Sequence, residues 1–145
     1  MARLHIHISV DNLQDSTRFY TTLFNAEPSV SKQDYAKWEL DDPAVNFAIS
    51  RRSAMTGLDH LGLQADSDAE LRAIQARLEQ AGIAGLAQRG TACCYAESDK
   101  YWTKDPDGVA WEAFHTLDSI PTFNRDDSQQ SARGCCVPEI HTDFS

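Results

Sequence analysis

Residues 4–10 read LHIHISV and residues 60–65 read HLGLQA. A shift of 55 residues lays one on the other, so that His5, Ile8, Asp11, Leu23 and Ala26 meet His60, Leu63, Asp66, Leu78 and Ala81. Each stretch alternates like a strand and passes through an acidic turn, DNLQDS (11–16) or DSDAE (66–70). A helical stretch follows, TRFYTTLF (17–24) or LRAIQARLEQAG (71–82). Three more strands are predicted behind each helix: Ser29 to Lys32, Tyr35 to Leu40 and Val45 to Arg51, then Leu86 to Thr91, Tyr95 to Lys104 and Val109 to Thr116. The turns before the last strands also correspond, Asp41-Asp42-Pro43 and Lys104-Asp105-Pro106-Asp107-Gly108. This shared order predicts an α+β fold of two tandem βαβββ modules, at about 1–55 and 56–117.

The rest of the chain bounds what such modules can do. At 145 residues one compact domain is expected. Asp and Glu number 22 against 13 Lys and Arg, a formal charge of −9 that repels a phosphate backbone, so nucleic acid is not an expected partner. No apolar run approaches the roughly 20 residues of a membrane span. MARLHIHISV lacks the apolar core of a signal peptide, which places the expected location in the cytoplasm. Residues 118–145 are polar, with two prolines and no sustained periodicity, and read as a cysteine-containing tail.

Alternate residues of a strand face opposite sides. Leu4, Ile6, Ile8 and Val10 therefore share the face expected under the helix, and His5, His7 and Ser9 share the other. In the second copy Leu61 and Leu63 go to the core and His60 to the face opposite. On the last strand Glu112 shares a row with Ala110 and Phe114. If both sheets curve around a shared cleft, His5, His60 and Glu112 converge as two imidazoles and a carboxylate, a set that suits ferrous iron and leaves positions open. A single inward His is commonly just a satisfied polar residue, but these two occupy equivalent positions on equivalent strands. Ala48 stands where the first copy would need its carboxylate, so one metal site is expected. His7 could replace His5, shuttle a proton or simply line the cavity.

The four cysteines form two adjacent pairs, Cys93-Cys94 and Cys135-Cys136. Adjacent residues close only a strained ring on oxidation, so they read as thiols. Within Thr91-Ala92-Cys93-Cys94-Tyr95, two neighbouring sulfurs can grip one atom only where the backbone leaves regular β geometry. Paired thiolates select soft centres such as trivalent arsenic or cadmium, whereas isolated free cysteines are commonly small buried apolar residues.

The modules, with HIHISVDNL, FYTTLF and LDHLGLQ, resemble the vicinal oxygen chelate superfamily of glyoxalases, extradiol dioxygenases and bleomycin-resistance proteins. Residues 91–114, TACCYAESDKYWTKDPDGVAWEAF, resemble the ArsI family of carbon-arsenic lyases and their cadmium-induced relatives. That resemblance implies a non-haem Fe(II), or another divalent metal, on His5, His60 and Glu112. It also implies a trivalent organoarsenical on Cys93 and Cys94, with Tyr95 and Lys100 in the substrate site. Family members often carry Gln at the first metal position, where His5 makes this set more like an extradiol dioxygenase triad. The implied activity is O2-dependent cleavage of a carbon-arsenic bond by Glu112, Cys93, Cys94 and the metal, in a homodimer. The alternatives are a non-catalytic cadmium or arsenite binder and a glyoxalase-type metalloenzyme. A metal-free drug-binding protein would leave His5, His60 and Glu112 without a task.

Overall fold

The computed structural model describes residues 2–93, 95–119, 137, 138 and 140; Cys94, Cys135, Cys136 and His141 lie outside the described residues. The described residues form eight strands and two helices, an α+β architecture. The chain divides into two compact units, Arg3–Leu61 and Gly62 onward, with Met1–Ala2 grouped with the second.

In the first unit β1 (Arg3–Ser9) leads into α1 (Leu13–Phe24), then β2 (Val30–Ser31), β3 (Tyr35–Asp41) and β4 (Ala44–Ser50). The order is β2-β3-β4-β1, with β1 parallel to β4 and the other pairs antiparallel. The helix begins four residues before the expected Thr17, because the Asn12 side chain accepts the Asp15 N–H at 2.9 Å and opens the first turn. It closes on Asn25 in the left-handed conformation (φ 53°). Ile6, Ile8 and Val10 pack on a core of Leu13, Ala36, Trp38, Val45, Phe47 and Ile49, as alternation requires. Tyr20 and Phe24 add rings 4.5 and 5.1 Å from Phe47. The Trp38 indole N–H is satisfied by the Ala26 carbonyl at 2.9 Å. Leu4, expected on the same face, is exposed.

β5 (Gly57–Gln64) crosses from one unit into the other, so that His60 belongs with His5. The second unit continues with α2 (Asp68–Gln80), β6 (Gly85–Cys93), β7 (Ala96–Lys104) and β8 (Ala110–Ser119). The Ser67 side chain accepts the Glu70 N–H, and the Glu70 carboxylate reaches back to the Asp66 N–H. Gly82 at φ 72° ends the helix, with the N–H of Gly82 and Ile83 bonded to the carbonyls of Glu79 and Leu78. β6, β7 and β8 form an antiparallel meander. β8 runs into the expected tail, because Asp118 and Ser119 still pair with Glu97 and Ala96. The core here is Ala65, Leu71, Ile74, Tyr101 and Ala113. A cavity of about 290 Å3 remains, lined by Leu63, Ile74, Leu78, Ile83, Tyr101 and Trp111 among others.

Candidate metal centre and thiol hairpin

The inward row of β1 meets β4 in register, His5 opposite Asn46, His7 opposite Ala48 and Ser9 opposite Ser50. His5, His7 and His60 are all buried, and one donor atom from each lies within 4.8 Å of the others. The ring centroids of His5 and His7 stand 5.1 and 4.9 Å from that of His60. His7 Nε2 meets Ser50 Oγ at 2.8 Å.

Hydrogen bonds fix which nitrogens face the centre. His5 Nδ1 lies 3.1 Å from the Asn46 carbonyl oxygen, which can only accept, so His5 Nδ1 carries its proton. His60 Nδ1 lies 3.1 Å from the Asp59 carboxylate and donates to it. In the neutral rings both Nε2 atoms then carry lone pairs, and these two atoms are 3.2 Å apart. Two lone pairs at that distance repel; a cation between them turns repulsion into coordination. Imidazoles in neighbouring positions on one ion, each at ~2.0–2.1 Å, are about 3 Å apart. A carboxylate or carbonyl holding the far ring N–H is also the usual support of a metal-bound histidine. The donor set therefore fits a divalent transition metal.

Glu112 belongs to the second unit. It is buried and its Oε1 lies 3.1 Å from Lys100 Nζ, itself buried. Trp102 stands directly opposite Glu112 and Lys100 opposite Phe114, so the pair forms diagonally across one face of β7 and β8. Lys100 Nζ also sits 5.9 Å from the centre of the Trp102 ring. On the other face Tyr101 lies in the core under α2, where burial, and after it the Glu79 charge, raises the phenol above its ordinary value.

Cys93 is the last residue of β6 and pairs with Ala96, the first residue of β7. Tyr95 takes φ 62°, uncommon outside glycine, and the register shifts between Gln88 and Thr91. Gly90, at φ 59°, donates its N–H to the Asp99 carboxylate at 2.7 Å. Lys100 is in mid-strand, four residues or about 13 Å of β7 beyond Ala96.

His5 and His60 are thus brought together, and His7 joins them. Asn46, Asp59 and Ser50, which orient the three rings, were not read from the sequence. Neither was the partnership of Lys100 with Glu112.

The match to known proteins follows this geometry. Residues 3–113 match the family model described as the Glyoxalase/Bleomycin resistance protein/Dioxygenase superfamily. The chain belongs to that superfamily. A trivalent organoarsenical cleaving enzyme from Bacillus sp. (strain MD1) is 38% identical, over 96% of this chain and 85% of the relative. The cadmium-induced protein CadI of Mycobacterium bovis is 35% identical, over 97% of this chain and 96% of the relative. Among solved structures, an extradiol ring-cleaving dioxygenase from B. fuscum shares the superfamily fold with a TM-score of 0.62 at 14% identity. That alignment covers 81% of this chain and 33% of the dioxygenase. Among the described residues no helix is long and apolar enough to cross a membrane.

Proposed function

We propose that this protein cleaves the carbon-arsenic bond of trivalent organoarsenicals, with a divalent metal, ferrous iron, as its cofactor and O2 as co-substrate. The observation that carries the reading is the 38% identity to a trivalent organoarsenical cleaving enzyme across 96% of the chain. The facing Nε2 atoms of His5 and His60, 3.2 Å apart, support the metal. His5 and His60 would hold it, with Glu112 as the carboxylate ligand that the family resemblance implies. Bound ferrous iron supplies the activation of dioxygen.

The chain's own part is capture and orientation. A monosubstituted arsenical keeps one carbon and exposes two exchangeable hydroxyls. The thiols of Cys93 and Cys94 exchange with both, forming two As–S bonds and releasing two waters, and this fixes the carbon-arsenic bond in one orientation. Tyr95, in the turn beside Cys94, would contact the bound substrate. The burial of His5, His7 and His60 keeps bulk water from the rings.

Aerobic incubation with methylarsenite and ferrous iron, followed by arsenic speciation, tests this. Arsenite is expected from the unsubstituted protein, and none from His60→Ala or from Cys93→Ser. A second reading, capture of soft metals without turnover, draws on the relatives named cadmium-induced protein. Retained methylarsenite with no arsenite formed would favour it and overturn the first.

A further inference from the structure

We propose that Lys100 is a built-in cation for Glu112 which an incoming metal ion must displace, so that metal loading is an exchange of one cation for another on the same carboxylate. The inference rests on the reading of Glu112 as a metal ligand.

Glu112 and Lys100 are both buried, and 3.1 Å separates Oε1 from Nζ. In the metal-free chain that contact sets an ammonium against a buried carboxylate. It also occupies one of the two carboxylate oxygens on which a metal would draw. A dication on Oε1 would lie within about 5 Å of the ammonium, and like charges that close repel strongly where water does not screen them. The two therefore compete for the carboxylate.

The strands make the exchange a local event. Lys100 and Glu112 lie in mid-strand on adjacent, hydrogen-bonded β7 and β8, so the backbone is held and the lysine stem carries the motion. The stem has four rotatable carbons. The Trp102 ring, its centroid 5.9 Å from Nζ, offers a π-face toward which a displaced ammonium can shift without leaving the strand. Lys100 is therefore a positioning residue, setting when Glu112 is available.

The test is equilibrium binding of Mn(II) alone, by calorimetry, to the unsubstituted protein, Lys100→Met, Lys100→Arg and Glu112→Gln. Lys100→Met is expected to bind Mn(II) about tenfold more tightly, since the competitor is gone. Lys100→Arg, which keeps the charge, should bind no more tightly than the original. Glu112→Gln should bind at least tenfold more weakly. Unchanged or weaker binding by Lys100→Met, alongside weakened Glu112→Gln, would overturn the exchange. Unchanged binding by Glu112→Gln would instead remove Glu112 from the ligand set. Should Lys100→Met fail to fold, lysine side-chain NMR of the unsubstituted protein decides: Zn(II) is expected to shift the Lys100 ε-methylene signal, and an unmoved signal overturns the proposal.

Discussion

The two units treat their buried polar groups in opposite ways. Arg3–Leu61 gathers three imidazoles, two with Nε2 atoms aimed at each other, each held from behind by an acceptor. The second unit buries a carboxylate and supplies an ammonium to meet it. One unit thus gains from a cation brought from outside, while the other carries its own. The contrast arises in neighbouring strands, not in fold: β1 pairs with β4, which offers Asn46, Ala48 and Ser50, and β8 pairs with β7, which offers Lys100 beside Trp102.

Single substitutions should expose the difference, the largest in the second unit. Glu112→Ala strands a buried ammonium and is expected to cost about 3–5 kcal/mol in urea denaturation of the metal-free protein. His60→Leu, measured the same way, should cost less, about 1–3 kcal/mol, since it removes a hydrogen-bonded ring and not one member of the buried Lys100–Glu112 pair. Equal losses would erase the contrast.

Next comes the support behind the rings. Asp59→Ala leaves His60 in place and removes the acceptor for its Nδ1 proton, and metal affinity should fall about 10–100-fold with little change in metal-free stability. Unchanged affinity would mean that the ring needs no such orientation.

The smallest effect concerns pH. Burial raises the Tyr101 phenol, so the fold prefers its neutral form. That preference is fully present below the unfolded value of about 10 and is lost as pH rises from there toward the folded value. Stability should therefore decline above about pH 10, and Tyr101→Phe should flatten the decline. An identical alkaline profile in the variant would assign the loss to other groups.

The sequence carried much of this fold because alternation and the 55-residue repeat are local signals. LHIHISV alone places His5 and His7 in one row. What joins His60 to that row is strand order, and what selects Asn46 is the parallel register of β1 on β4, neither of which a local pattern contains. The start of α1 was read late because DNLQDS is polar enough for a turn; Asn12 makes it instead a cap followed by the first helical turn. The family resemblance implies Lys100 in the substrate site; strand rise sets it about 13 Å along β7 from Ala96, and the shift between Glu97 and Ser98 decides which residue of β8 it faces, which no local pattern contains. Cys93 and Cys94 remain a sequence argument, since Cys94 lies outside the described residues.

The central claim is that the His5–His60 pair is a metal site, and X-ray absorption at the iron edge of anaerobically loaded, unsubstituted protein tests it most directly. One ferrous ion per chain is expected, with the multiple-scattering signature of at least two imidazoles at ~2.1 Å, falling to one in His60→Ala. Iron bound through oxygen alone, or a spectrum indifferent to His60, would contradict the account.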